Sequence, residues 1–261
     1  MKDTGNLKIV LIGAGNVAWH LGHGFKMAGV GISQVISRSR SSAESLAASL
    51  NTSFSIDPGD FKPGNDCCLL CVSDDALEGI AGRIRFGNCL ALHTAGSVPA
   101  DLLQGKAKNY GVLYPLQTFT KNRPVDLLQV PFLVEASNAE NLALAKRLAS
   151  AISGNVVEAG TELRLQLHLA AVFAGNFTNH MYALAEQLLG KQSPGFELLK
   201  PLIRETAEKA IEITPRKAQT GPAVRGNKRI IEKHMALLAS NPEIRELYRI
   251  LSESIGRMKS E

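Results

Sequence analysis

The chain has 261 residues, of which 45% are hydrophobic and 20% are charged, and its formal net charge is +5. These values are typical of a globular protein, and the longest apolar runs are too short to cross a membrane. The amino terminus lacks the pattern of a signal peptide, so we predict a cytoplasmic protein with no membrane partner. The mild basic excess suits an anionic small molecule, and because no nucleic-acid motif accompanies it, we expect no nucleic-acid partner.

Short apolar runs alternate with helical segments over residues 1–158. Eight runs predict strands, and in chain order they are "LKIVLIG", "ISQVIS", "TSFSI", "DCCLLCVS", "CLALHTAG", "GVLYPL", "PFLVEA" and "NVVEA". The segments between several of them, including "VPADLLQGKAK", have the composition of helices. This alternation predicts an α/β fold with a doubly wound, mostly parallel sheet.

The strand pattern stops after about residue 158. "TELRLQLHLAAVFAGNFTNHMYALAEQLLG" and "SPGFELLKPLIRETAEKAIEI" carry apolar residues at helical spacing, and two further helices are predicted near Lys228–Ser240 and Pro242–Lys259. We therefore predict an all-helical carboxyl-terminal domain over residues 159–261.

The first strand ends in a glycine motif. Gly13, Gly15 and Ala18 spell G-x-G-x-x-A between a strand and a helix. In a dinucleotide-binding turn the first glycine makes the bend, the second lets a pyrophosphate approach, and free N–H groups of the helix start bind the phosphates. Residues 1–158 are thus predicted to be a Rossmann-like dinucleotide-binding domain, with Asn16 and Val17 also at the phosphates. The alternative is a tight turn that binds nothing.

The end of the second strand indicates which dinucleotide binds. NAD-binding proteins usually have an acidic residue there, whereas "VISRSRSSAES" supplies Ser37, Arg38 and Ser39 and has no acid before Glu44. Because arginine can hold a 2′-phosphate that an acid would repel, we predict NADP rather than NAD. An arginine that is simply exposed in a loop is the alternative.

The ends of the fourth and fifth predicted strands supply further candidates. Ligands of such sheets bind outside the carboxyl ends of the strands, so Val72, Ser73 and Thr94 are predicted beside the cofactor. His93 ends the fifth strand, and an imidazole there suits a proton donor. A histidine hydrogen-bonded within its own loop is an equally good interpretation. Asp74 is interpreted as a helix cap.

Polar residues beyond the fifth strand could meet a substrate. Tyr114 is a candidate for substrate binding, or it packs at a rigid turn before Pro115. On the long helix, Asn176 and His180 are four residues apart and so share one face of a regular helix. They are predicted to be catalytic, although another helix in a dimer could equally be their partner.

Other polar residues complete the predicted site. Thr220 and Arg225 lie in a long segment rich in turn-forming residues and are predicted to bind an anionic substrate.

Four cysteines, at positions 67, 68, 71 and 89, fall on or beside apolar strands. Buried free thiols are the favoured interpretation, with no metal site.

Several stretches resemble a bacterial family of predicted oxidoreductases. They are "LIGAGNVAWHLG", "HTAGSVPADLL", "YPLQTF", "AAVFAGNFTNH", "PLIRETAEKA" and "QTGPAVRGN". That family joins a Rossmann-like domain to a helical domain of unknown function and resembles the 6-phosphogluconate dehydrogenase-like superfamily. The resemblance implies NAD(P)-dependent redox chemistry, and a helical domain that caps the cleft and dimerises. Relatives carry a lysine and an asparagine on the first long helix; Asn176 matches the asparagine, but Val172 replaces the lysine.

Together these features predict an NADP-dependent oxidoreductase. It would transfer hydride between nicotinamide and a small, anionic carbonyl, imine or hydroxy compound, and would form a homodimer through its helical domain. The alternative is a non-catalytic NADP-binding sensor or partner protein.

Overall fold

An eight-stranded sheet forms the centre of the first part of the chain in the computed structural model, which describes residues 7–190 and 195–258. The strands are β1 (Lys8–Ile12), β2 (Gly31–Ile36), β3 (Ser53–Ser55), β4 (Cys67–Leu70), β5 (Leu90–His93), β6 (Asn109–Pro115), β7 (Pro131–Ala136) and β8 (Asn155–Glu158). Their order is β3-β2-β1-β4-β5-β6-β7-β8, and only β6 and β7 pair antiparallel. The predicted mostly parallel sheet is confirmed.

Helices cover both faces of this sheet. They are α1 (Asn16–Met27), α2 (Arg40–Leu50), α3 (Asp74–Ala81) and α4 (Ala139–Ile152). Successive side chains of a strand point to opposite faces, so Ile9 and Leu11 join the cluster beneath α1, α2 and α4, whereas Val10 and Ile12 join the cluster beneath α3. Burial on both faces explains why the strands are almost wholly apolar.

The segment "VPADLLQGKAK" departs from the prediction of a helix. It forms only a short 3₁₀ turn at Ala100–Leu103, after which Gln104 is extended and Gly105 has a φ of +78°. Because neither conformation continues a right-handed helix, the turn ends there.

The carboxyl-terminal part is helical, as predicted. Its helices are α5 (Thr161–Ala171), α6 (Thr178–Leu189), α7 (Lys200–Ile213), α8 (Pro215–Ala218), α9 (Lys228–Leu237) and α10 (Pro242–Met258), and a π-helical segment at Val172–Phe177 follows α5. Ser193, Pro194 and Lys259, which fall in predicted helices, lie outside the described residues.

The chain divides into two compact units after Asn176. The sheet ends near the boundary predicted at residues 158 and 159, but α5 packs with the sheet and belongs to the first unit. Arg164 makes this contact, because its buried guanidinium pairs with Glu135 on β7 and donates to the Val98 carbonyl oxygen at 2.6 Å.

The second unit has little interior of its own. Among its described residues only Leu238 is buried, while Leu198, Leu202 and Ile211 are 66%, 61% and 85% exposed. In the parts of the chain that the structure describes, every helix is too short or too polar to cross a bilayer.

Candidate active site

The glycine turn after β1 has the two properties that a phosphate-binding turn requires. Gly13 has a φ of +104°, and a Cβ there would lie 2.2 Å from the Cys71 carbonyl oxygen, so only glycine fits. Gly15 immediately precedes α1, and a Cβ there would meet nothing within 4 Å. No side chain caps the first turn of α1, which leaves space and N–H groups for an anion.

A cavity of about 430 Å³ lies beside this turn, and we call it the glycine-turn cavity. It lies where the strand order reverses between β1 and β4, the usual ligand crevice of an open α/β sheet. Six predicted cofactor-binding residues line it: Gly13, Gly15, Ser37, Arg38, Val72 and Ser73. Six of the ten predicted cofactor-binding residues therefore lie at one cavity.

The other four predicted cofactor-binding residues have different contacts. The Asn16 side chain accepts a hydrogen bond from the Lys121 N–H at 3.3 Å, and Val17 packs on the core. Ser39 caps α2 by accepting from the Ser42 N–H, and the Thr94 hydroxyl donates to the Leu70 carbonyl oxygen at 3.4 Å. None of the four side chains lines the glycine-turn cavity.

Arg83 is a cavity residue that no sequence pattern predicted. It lies just after α3 and lines the glycine-turn cavity together with Arg38. Its guanidinium also pairs with Asp57 at 2.8 Å, an exposed ion pair. Both charged residues among the described lining are arginines, which favours an anionic ligand. An isolated basic residue after a helix carries no distinctive signal in a sequence.

His93 is placed in its own loop and not at a cavity. Its side chain is fully buried; Nδ1 accepts from the Ala95 N–H at 3.2 Å, and Nε2 donates to the Pro99 carbonyl oxygen at 3.3 Å. Burial, with the nearby Arg164 guanidinium second, lowers the pKa of His93 to about 4. This geometry contradicts the predicted role of proton donor and matches the alternative interpretation, a histidine bonded within its loop.

A second cavity, of about 610 Å³, lies between the end of β6 and the helix α5. We call it the tyrosine cavity, because Tyr114 lines it. The Tyr114 hydroxyl is 2.9 Å from Nδ1 of His168, which lines the same cavity. Burial, and then the charge of Asp74, raises the pKa of Tyr114, so the phenol stays protonated at neutral pH.

One loop links the two cavities. Ser73 lines the glycine-turn cavity, and the next residue, Asp74, accepts a hydrogen bond from the Ser97 hydroxyl. The neighbouring Gly96 packs against the pair in the tyrosine cavity: a Cβ there would lie 2.6 Å from Nδ1 of His168 and 2.8 Å from Cζ of Tyr114. The absence of a side chain at Gly96 therefore allows Tyr114 and His168 to meet.

The position of α5 depends on a polar stripe along one side of the helix. Thr161 and Arg164 both contact the Glu135 carboxylate, and His168 follows one turn later at the cavity. Polar residues spaced three and four apart in "TELRLQLH" mark one helix face, and this pattern could have indicated the contact.

The remaining predicted residues fall in different places. Asn176 lines the tyrosine cavity at the end of the π-helical segment. His180 lies on α6 in the second unit and is exposed, as are Thr220 and Arg225 in the segment between α8 and α9. The common face predicted for Asn176 and His180 assumed 3.6 residues per turn, which a π-helical segment, bonded i→i+5, does not keep.

The cysteines are confirmed as buried free thiols. Burial raises the pKa of Cys71 and of Cys89 to about 12, so both thiols stay protonated at neutral pH. Within the described residues, no group of histidine, cysteine or acidic side chains is arranged to hold a metal ion.

Known proteins resemble the whole chain. A protein of Bacteroides fragilis, provisionally named an NADP oxidoreductase, is 43% identical over 97% of this chain and 98% of its own, with a TM-score of 0.90. The chain belongs to the NAD(P)-binding oxidoreductase family. Residues 130–255 match DUF2520, a domain of unknown function. No curated protein matches the chain significantly.

More distant structures share the fold. A protein of Thermotoga maritima is 21% identical over 97% of this chain and 98% of its own, with a TM-score of 0.74. A reductive aminase of Aspergillus terreus, solved with NADPH and ethyl-5-oxohexanoate, is 14% identical over 97% of this chain and 94% of its own, with a TM-score of 0.72. The architecture of a Rossmann-like sheet followed by helices is therefore shared by proteins with little sequence identity to this chain.

Proposed function

We propose that the protein is an NADP-dependent oxidoreductase that acts on a small carbonyl, imine or hydroxy compound. The observation that carries this proposal is the glycine-turn cavity, which combines an open glycine, an uncapped helix start and two arginines. The relative at 43% identity, provisionally named an NADP oxidoreductase, supports the same cofactor.

The residues of the glycine-turn cavity fit this dinucleotide. The space at Gly15 and the start of α1 would hold the diphosphate, with the main-chain N–H groups of Asn16 and Val17 as donors. Arg38 and Arg83 would hold the 2′-phosphate of NADP, and Val72, Ser73 and Thr94 would lie towards the nicotinamide. When bound, the nicotinamide supplies or accepts the hydride.

The tyrosine cavity is the proposed substrate site. Its volume lies within the range of small-molecule sites, and it combines an apolar lining from α5 with the polar side chains of Tyr114, Gln117, His168 and Asn176. Asn176 would orient the substrate oxygen or nitrogen. The predicted contributions of His180, Thr220 and Arg225, the last to a carboxylate, remain part of this proposal.

The helical unit is proposed to form a homodimer. Its described residues bury only Leu238, and large apolar side chains on α6, α7 and α10 are exposed. Apolar exposure of this extent on a soluble helical unit is typical of an interface, and the equivalent surface of a second copy would cover it. This proposal extends the domain assignment, with residues 159–261 serving substrate binding and dimerisation.

A non-catalytic NADP-binding protein is the second candidate. The resemblance leads us to expect a lysine at position 172, and the valine found there favours this candidate. The tyrosine cavity favours catalysis instead, because it places the polar Tyr114–His168 pair at the edge of a cavity large enough for a small substrate.

The test is oxidation of NADPH by the purified full chain with pyruvate and with 1-pyrroline, and reduction of NADP⁺ with lactate. We expect turnover with at least one member of a wider panel of 2-oxo acids, cyclic imines and hydroxy acids. Tight NADPH binding without turnover of any member would favour the sensor, and absence of binding would contradict both candidates.

A further inference from the structure

Among the described residues, two tyrosine–histidine pairs are hydrogen-bonded, and they differ in their surroundings. Tyr114 meets His168 at 2.9 Å, with ring centroids 5.8 Å apart at 73°. Tyr248 meets His234 at 2.8 Å, with centroids 5.6 Å apart at 80°. The first pair lines a 610 Å³ cavity, whereas the second joins α9 to α10. The two pairs have similar geometry but different locations. Comparing them therefore distinguishes an effect of the cavity from an effect of the hydrogen bond itself.

We propose that Tyr114 is the proton donor of the reaction and that His168 restores its proton. This inference rests on the proposed function, which supplies the hydride. It assigns new roles to both residues, since Tyr114 was expected only to bind substrate and proton transfer was expected from other histidines.

The geometry suits such a relay if Nδ1 of His168 carries the proton. Nδ1–H then donates to the Tyr114 oxygen, and the phenolic O–H is free to face a substrate in the cavity. The Nε2 atom of His168 is left to exchange protons with water. The side chains of both residues are partly exposed, so solvent reaches the pair from the cavity.

The step balances as follows in the reductive direction. The carbon of a C=O or C=N bond gains the hydride supplied by NADPH, and the oxygen or nitrogen gains the phenolic proton of Tyr114. The phenolate takes the Nδ1 proton of His168 while Nε2 takes one from water. Nε2 then returns a proton to water and Nδ1 regains one, which restores the resting tautomer, so the proton that the substrate gains comes in the end from water. One hydride and one proton are consumed for each bond reduced.

The surroundings keep the phenol protonated until it is needed. Asp74, which accepts from Ser97 on the adjoining loop, faces Tyr114 with a negative charge, and His168 faces it from α5. Also on α5, four residues before His168, Arg164 pairs with Glu135 of β7, and the two charges neutralise each other. The phenol therefore keeps its proton at neutral pH, where a donor must hold it.

Gly96 packs against both members of the Tyr114–His168 pair. Any larger residue would press on Nδ1 of His168 and on the ring of Tyr114, because its Cβ would lie within 3.0 Å of both. Ser97, which follows Gly96, donates a hydrogen bond to Asp74, which follows Ser73. This bond joins the loop that contacts the Tyr114–His168 pair to the loop that lines the glycine-turn cavity.

The experiment compares Tyr114→Phe with Tyr248→Phe, each of which removes one hydroxyl from a tyrosine–histidine pair. With a panel substrate turned over by the wild type, we expect Tyr114→Phe to lower kcat about 10²- to 10⁴-fold, with the Kd for NADPH unchanged within about twofold. Tyr248→Phe should leave kcat unchanged. His168→Phe should lower kcat less than Tyr114→Phe does, and added imidazole should partly restore it.

A readout independent of turnover is the ionisation of Tyr114, measured as the difference in phenolate absorbance between the wild type and Tyr114→Phe. Loss of the Nδ1–H donor in His168→Phe should lower the acid constant of Tyr114 at least tenfold, because the phenolate loses a hydrogen bond. The same difference measured for Tyr248 should not respond to His168→Phe.

The outcomes separate this inference from the function on which it rests. An active wild type whose Tyr114→Phe variant keeps its kcat, or a Tyr114 acid constant that His168→Phe leaves unchanged, would overturn the relay and leave the oxidoreductase standing. A wild type that binds no nicotinamide nucleotide would overturn the function itself. If Tyr114→Phe fails to fold, the effect of His168→Phe on kcat, with imidazole rescue, decides the question.

Discussion

The two compact units differ most in how much they bury. The first unit has two apolar clusters, one on each face of its sheet, with residues such as Leu11 and Leu70 fully enclosed. The second has many helices but buries only Leu238 among its described residues. Because burial of apolar surface is the main stabilising contribution, we expect the first unit to hold its own fold and the second to be more stable when a further surface covers it. Both cavities of the candidate site are lined by residues of the first unit.

The largest expected effect concerns one methyl group in the first unit. Gly13→Ala would place a Cβ 2.2 Å from a main-chain oxygen at a φ of +104°, so we expect a loss of about 4 kcal/mol or more in the free energy of unfolding. Urea unfolding measures it.

Gly15→Ala is the matched control two residues later. Its Cβ meets nothing within 4 Å, so the free energy of unfolding should change by less than about 1 kcal/mol. NADPH binding should nevertheless weaken, because the methyl occupies the space of the diphosphate. Equal destabilisation by both substitutions would contradict the distinction between a packing glycine and a binding glycine.

The second prediction concerns pH. The folded pKa of His93, about 4, lies below the ordinary value of 6.5, so the unfolded chain binds this proton more readily. Stability is therefore full above pH 6.5 and falls as the pH drops towards 4, by roughly 3 kcal/mol in total. Urea unfolding at a series of pH values should show this loss in the wild type.

His93→Asn tests the assignment of that loss. The amide oxygen of asparagine can still accept from the Ala95 N–H, but the side chain does not titrate. The variant should lack the part of the pH dependence between 6.5 and 4, and an unchanged slope would show that another group causes it.

The smallest expected effect on the stability of the single chain comes from the second unit. Leu202 is 61% exposed, so Leu202→Asp should change the unfolding free energy of an isolated chain by less than about 0.5 kcal/mol. In the proposed dimer, however, it places a charge in the interface. Analytical ultracentrifugation should show a shift from dimer to monomer.

Leu128→Asp is the corresponding change in the first unit, at a residue that is 65% exposed. It should leave the dimer intact. A wild type that sediments as a monomer would contradict the proposal that a second copy covers the helical unit.

Much of the sheet could be predicted from the sequence because parallel strands buried on both faces must be apolar. "KIVLI" and "CCLL" show this directly. The failure at "VPADLLQGKAK" has a local cause, since composition favours a helix while Gly105 takes a left-handed conformation. The first compact unit continues past residue 158 to Asn176, because α5 packs on the sheet through the contact of Arg164 with Glu135, which joins residues far apart in the sequence.

The site was predictable only where a motif is continuous in the sequence. The glycine turn and Arg38 are adjacent to strand ends, so strand positions located them. The Tyr114–His168 contact joins residues 54 positions apart, and Arg83 reaches the glycine-turn cavity from the far end of a helix. Contacts between residues so far apart in the sequence depend on how the elements pack, so no local pattern predicts them. His93 shows the reverse, since its position at a strand end indicated a cavity but its side chain turns into its own loop.

We propose that the glycine-turn cavity binds NADP, and calorimetric titration of the protein with NADPH and with NADH measures this binding. We predict that NADPH binds the wild type at least about tenfold more tightly than NADH does, and that Arg38→Ala combined with Arg83→Ala removes this difference while NADH binding stays the same. Absence of heat from both nucleotides at millimolar concentration, or binding of NADH as tight as that of NADPH, would contradict an NADP site at this cavity.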